Sequence, residues 1–157
     1  MIIEAREVVV GRTIEFDVAH RLPFHLGKSR SLHGHRYQVE VSLRGNIISE
    51  SSCAPDDSGR IGMVVDYGDV RSILTAVVFE RFDHSVTLHE GDPLVPLIQS
   101  VSGQKLNVVP FMPTAEELAC FFYSELSREF LRLGPLICER VTVRESPETF
   151  ASCERKS

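Results

Sequence analysis

The clearest structural pattern of the chain lies in the stretch His33-Gly34-His35-Arg36-Tyr37-Gln38-Val39-Glu40-Val41-Ser42-Leu43. Histidine, aromatic or aliphatic side chains take every second position, and mostly polar side chains take the positions between them. Because successive side chains of a strand point to opposite faces of a sheet, this alternation predicts a half-buried β-strand.

A second alternating stretch, residues 14–20, precedes this strand. Apolar side chains share one of its faces up to His20, whereas Glu15 and Asp17 lie on the other face. Only residues 21–32 separate the two stretches. We therefore expect them to pair as an antiparallel hairpin.

Two helices are expected further along the chain. Between Asp69 and Phe82 the apolar residues recur at helical spacing. Thr114 is the predicted N-cap of the second helix, and Glu117 completes a capping box three residues later. Gly134-Pro135 is a typical helix end and marks where this helix stops.

The remaining segments complete the predicted fold. Residues 61–67 predict a short third strand, and residues 137–145 predict a last one. Residues 85–113 hold four prolines and two glycines, which indicates a long connection with a functional or interface role. The order β-β-β-α-α-β contains no strand-helix-strand alternation, so we predict an α+β fold in which two helices pack on one face of an antiparallel sheet.

The composition limits the class of protein. The chain of 157 residues has a formal net charge of −5, and 43% of its residues are hydrophobic, as expected for one globular domain over residues 1–157. It has no apolar run long enough for a membrane span, and its acidic balance argues against nucleic-acid binding. Glu4, Arg6 and Glu7 stand where a signal peptide would be apolar, which favours a cytoplasmic protein. The cysteines form no C-x-x-C pair and are expected to be free thiols: Cys53, Cys120, Cys138 and Cys153.

Three histidines form the strongest candidate site. His33 and His35 leave the same face of their strand, and His20 ends the apolar face of the neighbouring strand. If the hairpin forms, the three imidazoles converge at one end of one face. Three histidines with an open fourth position are the arrangement of a catalytic Zn²⁺ site. The alternative is that they are hydrogen-bonded core residues, but no nearby acid supplies partners for three of them.

Other charged residues carry weaker signals. No acid lies between Asp17 and Glu40, so this window holds a basic island that fits either an anionic ligand or a solvated loop, formed by Arg21, Lys28, Arg30 and Arg36. A further signal is Asp83-His84, which has the composition of a general acid/base pair but also of a helix-end cap.

Glu145 is a candidate ligand-binding carboxylate. It has the parity of Val141 and Val143, which points its side chain inward, where a charge needs a partner. Either an arginine of the protein or a ligand with paired N–H donors, such as the amidine edge of a pterin or guanine, would supply that partner.

Taken together, these residues resemble the 6-pyruvoyltetrahydropterin synthase family, which includes the 6-carboxytetrahydropterin synthases of queuosine biosynthesis. The resemblance runs through nearly the whole chain in the order of the family. The matching segments are Phe16-Asp17-Val18-Ala19-His20-Arg21-Leu22, Leu32-His33-Gly34-His35-Arg36-Tyr37, Gly62-Met63-Val64-Val65-Asp66-Tyr67, Phe82-Asp83-His84, Pro113-Thr114-Ala115-Glu116-Glu117-Leu118-Ala119 and Val143-Arg144-Glu145.

The resemblance implies a T-fold, with a four-stranded antiparallel sheet and two helices per subunit. Such subunits assemble into trimeric barrels stacked as hexamers, with active sites between subunits. It also implies dihydroneopterin triphosphate as the substrate, Asp83 and His84 as the acid/base pair, and Glu145 as the pterin anchor. Thr114 falls in the segment that lies near the pterin of a neighbouring subunit, and the basic island with Lys28 and Arg30 would fit the triphosphate. The resemblance further implies three zinc ligands: His20, His33 and His35.

One residue departs from the family pattern. Members usually carry a catalytic cysteine four residues before the first histidine of the H-G-H motif, and this position is Ser29 here. A serine hydroxyl is a poor base at neutral pH without an activating partner, whereas a thiol is readily tuned. The resemblance thus implies a zinc-dependent pterin lyase. Because of Ser29, a pterin-binding protein without the family reaction is an alternative. A structural zinc protein with an unrelated partner is a second alternative.

Overall fold

The computed structural model describes residues 7–156. Glu4 and Arg6, on which the expectation about export partly rests, lie outside this range, as do the ends of the predicted domain 1–157. The helices of the described part are α1 (Tyr67–Leu74), α2 (Glu80–Phe82), α3 (Val95–Gln99) and α4 (Ala115–Leu131), and a π-helical turn (Thr75–Phe79) joins α1 to α2. The strands are β1 (Glu7–His20), β2 (His33–Asn46), β3 (Ser85–His89), β4 (Leu106–Val109), β5 (Ile137–Arg144) and β6 (Phe150–Glu154).

The strands form one sheet in the order β4-β3-β1-β2-β5-β6. β1 and β2 are antiparallel over their whole length, which confirms the predicted hairpin, and His20 is paired with His33 at the loop end. β5 pairs antiparallel with β2, and β6 with β5. β3 instead runs parallel to β1, and β4 parallel to β3. The α+β class is confirmed, but the sheet is mixed and has six strands in the described residues, not the four antiparallel strands that we expected.

One face of this sheet is covered by helices. Phe16, Val39 and Val141 from the sheet lie in one buried cluster with Leu74 of α1 and Phe122 of α4. Full burial of each such side chain stabilises the fold by about 2 kcal/mol, so a slip of register by one residue would cost several of these contributions. The helices therefore fix which residues of β1 and β2 face inward. No helix within residues 7–156 combines the length and the apolar character that crossing a membrane requires.

The helix starts are set by side-chain caps. The hydroxyl of Thr114 accepts a hydrogen bond from the Glu117 N–H at 3.3 Å, which confirms the predicted cap of α4.

The predicted strand at residues 61–67 is wrong. Gly62 has a positive φ of 88°, which breaks an extended chain, and the Asp66 carboxylate caps α1 by accepting from the Gly68 N–H. The first helical region thus begins at Tyr67 and, as predicted, ends at Phe82.

The prediction of a long connection at residues 85–113 is also wrong, because this segment contains the β3-α3-β4 unit. β3 lies between β1 and β4 and is buried along almost its whole length, so it shows no alternation of apolar and polar side chains. β6 was not predicted either. It is a short edge strand, exposed at every second residue, that follows a tight turn after β5.

Candidate active site

Three histidines meet at the loop end of the β1–β2 hairpin. His20 is the last residue of β1, His33 the first of β2, and His35 lies two residues further on the same face. The ring centroids are 4.6 Å apart for His20 and His33, 4.9 Å for His33 and His35, and 5.4 Å for His20 and His35. The structure thus brings together the three side chains that the sequence pointed to.

Backbone carbonyls orient two of these rings. Nδ1 of His20 donates to the carbonyl of Pro113, just before α4, and Nδ1 of His33 donates to the carbonyl of Ser31, each at 2.7 Å. A histidine that donates from Nδ1 presents an unprotonated Nε2 to a ligand, and this second contact holds the ring in place. These partners could not be predicted from the sequence, because a backbone carbonyl acceptor has no residue signature.

Glu145 completes the cluster. It follows β5 directly, and its Oε1 lies 2.8 Å from Nε2 of His35 and 3.9 Å from Nε2 of His20. The inward orientation predicted from its parity is therefore confirmed. The carboxylate is not aligned as a hydrogen-bond acceptor, and the buried Nε2 of His35 has no hydrogen-bond partner among the described residues.

The donor set fits a divalent metal ion. One possible ligand atom from each of the four residues His20, His33, His35 and Glu145 lies within 4.8 Å of the others. Imidazole nitrogens and a carboxylate are zinc ligands, and a cation would satisfy the otherwise orphaned nitrogen of His35. These side chains could hold a metal through three histidines, with Glu145 either as a fourth ligand or as a contact for a bound substrate.

Burial favours the metal-binding form of His20. Burial lowers the pKa of its imidazole, and although the hydrogen bond to Pro113 acts in the opposite direction, the resulting pKa lies below the usual 6.5. His20 is therefore neutral at neutral pH, as a metal ligand must be. The hydroxyl of Tyr37 lies 3.3 Å from its Nε2, and burial raises the pKa of this phenol.

Asp83 and His84 form a hydrogen-bonded pair at the end of α2. Nδ1 of His84 lies 2.6 Å from Oδ2 of Asp83, and Oδ1 of Asp83 accepts from the Asp17 N–H at 3.0 Å. Partial burial raises the pKa of the Asp83 carboxyl, but the hydrogen bonds from Asp17 and His84 outweigh it, and the pKa falls below its usual value. The ionised carboxylate thus holds the imidazole, whose ring is largely exposed (78% for the side chain) and free to exchange protons.

Among residues 7–156, this pair shares no hydrogen bond or ion pair with the three histidines. His84 lines an open groove with Asp17 and Arg36, and His35 also contributes to the lining of this groove. Asp17 and Arg36 are partners in the β1–β2 register and have the opposite parity to His20 and His35, so their side chains leave the other face of the sheet. The side chains of Asp17 and Arg36, beside the acid/base pair, thus point away from the face that carries the histidine cluster.

The other predicted binding residues surround the loop end of the hairpin. Lys28 and Arg30 are exposed on the 3₁₀ turn Lys28–Arg30, with the half-buried Ser29 between them. Thr114 uses its hydroxyl to cap α4, directly after the carbonyl that holds His20.

Two arginines of the basic island are already paired with acids. Arg36 binds Asp17 at 3.0 Å, and Arg21 binds the buried Asp92 at 2.7 Å. Among residues 7–156, Lys28 and Arg30 have no acidic partner, so within the island the charge available to an anion is theirs.

The protein has a curled sheet of an α+β fold, with a cluster of histidines and a carboxylate at one end. These features assign it to the class of T-fold proteins, with a candidate metal centre. Residues 9–156 match the family model of 6-pyruvoyl tetrahydropterin synthase, and the chain belongs to this family of pterin enzymes.

The relatives agree with this assignment. The 6-carboxy-5,6,7,8-tetrahydropterin synthase of Rickettsia bellii is 34% identical over 140 residues, covering 88% of this chain and 94% of that protein. The 6-pyruvoyl tetrahydropterin synthase of Caenorhabditis elegans has a similar structure, with a TM-score of 0.65, 21% identity and coverage of 99% of this chain and 100% of that one. An uncharacterised protein from Wolinella succinogenes has a TM-score of 0.77 at 20% identity, covering 96% and 99%. These structural matches confirm the T-fold.

Proposed function

We propose that this protein is a zinc-dependent lyase that converts dihydroneopterin triphosphate to a 6-pyruvoyl- or 6-carboxy-tetrahydropterin. The observation that carries the proposal is the convergence of His20, His33 and His35 beside Glu145, where the buried Nε2 of His35 forms no hydrogen bond among the described residues although it lies 2.8 Å from the Glu145 carboxylate. The curated relative from Rickettsia bellii is named as a 6-carboxytetrahydropterin synthase, which favours the carboxy product.

In this proposal, His20, His33 and His35 hold the zinc through their imidazole nitrogens. When bound there, zinc supplies Lewis acidity to the side-chain hydroxyls of the substrate. The protein contributes neutral rings in fixed orientations, two of them set by the carbonyls of Pro113 and Ser31.

Glu145 is proposed to bind the pterin. Its carboxylate is 26% exposed and can therefore be reached by a ligand, and its two oxygens match the paired N–H donors of the pterin amidine edge. The position beside His35 would hold the pterin ring next to the metal. Lys28 and Arg30 would then attract the triphosphate from the adjoining loop.

His84 is proposed to move protons, with Asp83 holding its Nδ1 and the exposed Nε2 facing the substrate. Because Asp17 and Arg36, beside this pair, leave the opposite face of the sheet from the histidine cluster, we expect a second copy of the chain to supply one of the two groups. Sharing of the site between copies is compatible with the assembly that the family resemblance implies, a homohexamer built as a dimer of trimers with active sites at subunit interfaces and Thr114 close to the neighbouring site. Ser29 lacks the acidity of a thiol, so His84 carries the proton transfers.

Incubation of the zinc-loaded protein with dihydroneopterin triphosphate tests the function, with products identified by mass. We expect a tetrahydropterin product whose mass distinguishes side-chain rearrangement from cleavage, and none from His84→Ala. Unchanged substrate together with tight pterin binding would overturn the enzyme proposal. That result would favour the second candidate, a pterin-binding T-fold protein without the family reaction, for which Ser29 is the supporting observation.

A further inference from the structure

The turn that carries Asp83 and His84 has an unusual backbone. His84 has a φ of 53°, in the left-handed region that residues other than glycine seldom adopt, and it is the only such residue in the part of the chain that the structure describes. The turn also ends a helix, and the last four carbonyls of a helix lack partners within it. Since the Asp83 N–H donates to Phe79, these are the carbonyls of residues 80–83.

Lys105 binds the first and the last of these carbonyls. Its Nζ donates to the carbonyl of Glu80 at 2.6 Å and to that of Asp83 at 2.9 Å. Its own carbonyl accepts from the Val86 N–H at 2.9 Å, so its backbone is fixed to β3. The positive charge of Lys105 also lies at the negative end of the helix dipole, which strengthens both contacts.

Asn107 and Ser85 bind the two remaining carbonyls, those of Arg81 and Phe82. Nδ2 of Asn107 donates to the carbonyl of Arg81 at 3.0 Å and to the hydroxyl of Ser85 at 2.9 Å. The hydroxyl of Ser85 in turn donates to the carbonyl of Phe82 at 2.6 Å. All four terminal carbonyls of the helix are therefore bound by side chains of the β3-β4 segment.

We propose that Lys105, Asn107 and Ser85 form a clamp that holds the Asp83–His84 turn in its strained conformation and thereby aims the imidazole of His84 at the substrate. They are positioning residues, because they bind the helix end and not the reacting atoms. The inference rests on the proposed function for its effect on catalysis, since His84 is there the group that moves protons. It gives residues 85–113 a role in the site, through the two strands that the sequence did not reveal.

Replacement of Lys105 tests the clamp. Lys105→Met keeps the aliphatic stem but removes the donors, and we expect kcat to fall about 10-fold or more, with KM changed less than about twofold. Lys105→Arg retains donors and should recover most of kcat. Lys156→Met, at an exposed lysine outside the clamp, is the matched control and should leave both constants unchanged. Thermal unfolding and zinc content show whether each variant is folded and loaded.

The tautomer of His84 provides a second readout that does not depend on activity. In the wild type, ¹⁵N NMR of the neutral ring should show a protonated Nδ1, held by Asp83, whereas Lys105→Met should show a mixture of tautomers. If Lys105→Met does not fold, Asn107→Leu should give the same mixture. A wild-type tautomer in the folded variants would overturn the clamp, whatever happens to kcat. If the wild type forms no product, the proposed function fails and the tautomer alone decides whether the clamp exists.

Discussion

The carbonyl oxygen of Pro113 accepts a hydrogen bond from Nδ1 of His20 at 2.7 Å. This contact joins the start of α4 to the end of β1, two elements that are far apart in the sequence. It makes the position of one candidate metal ligand depend on the packing of α4 against the sheet, which buries Leu118 and Phe122 in the core. The candidate metal site and the hydrophobic core therefore depend on the same packing of α4 against the sheet.

The first prediction concerns the metal ligands. His33→Ala removes one of three imidazoles, and we expect the zinc affinity to fall by more than about 100-fold, since changes to outer partners alone cost up to that much. His89→Ala is the control, because its ring accepts from the Gly91 N–H outside the cluster. Zinc per chain after dialysis measures the effect. Full zinc occupancy in His33→Ala would contradict the three-histidine site.

A second prediction separates two roles for Glu145. As a pterin anchor, Glu145→Gln loses a charge-assisted pair of hydrogen bonds, and KM should rise about 10- to 100-fold while zinc content stays constant. Loss of zinc in this variant would instead identify Glu145 as a metal ligand. The exposed Glu148 provides the control, and Glu148→Gln should behave as the wild type.

The third prediction tests whether the site is shared between subunits. His33→Ala and His84→Ala should each be inactive. If one copy supplies the histidine cluster and another supplies His84, mixed oligomers of the two variants should recover about a quarter of the wild-type activity, from random pairing at each interface. Mixed oligomers of His84→Ala and Asp83→Ala should recover no activity, because both substitutions affect the acid/base pair, which comes from the same subunit. No recovery in the first mixture would place the whole site in one chain.

The fourth prediction concerns acid stability. The folded-state pKa of Asp83 lies below its usual 3.8, so the ionised carboxylate stabilises the fold above that pH. This stabilisation should be lost as the pH falls below 3.8 and through the lower folded-state pKa. Thermal unfolding of metal-free protein should therefore show a smaller loss of stability over this range in Asp83→Asn than in the wild type. If the stability of wild type and Asp83→Asn fell equally with pH over this range, the lowered pKa of Asp83 would be contradicted.

The fifth prediction concerns Ser29. A thiol at this position ionises far more readily than the hydroxyl, so Ser29→Cys should raise kcat about 10-fold or more. Ser31→Cys, at an exposed serine two residues away, is the matched control and should not change kcat. An unchanged kcat in Ser29→Cys would mean that His84 alone suffices for proton transfer.

The sequence was most informative where one face of an element is buried. The alternation in β1 and β2 and the cap at Thr114 were predicted because burial on one side and a side-chain hydrogen bond both leave residue patterns. β3 shows no such residue pattern, because neighbouring strands and packed side chains bury Val86, Leu88 and the polar Thr87 alike. β6 is too short and too exposed for its alternation to be recognised.

In the candidate site, too, some residues could be predicted from the sequence and others could not. His20, His33 and His35 could be grouped from strand parity alone, and the inward direction of Glu145 followed from the same rule. The location of His84 beside Asp17 could not be predicted, because it depends on the parallel docking of β3 beside β1. The clamp by Lys105 escaped detection for the same reason.

The pairing of the strands also bears on the order of folding. The β1–β2 hairpin brings its three histidines together across the single loop of residues 21–32, whereas Glu145, the Pro113 carbonyl and the His84 turn come from more distant parts of the chain. Contacts between close segments cost less loop entropy and form earlier. We therefore expect the metal ligands to assemble before the proton-transfer pair is placed. A metal bound at that stage would stabilise the hairpin before the remaining chain docks on it.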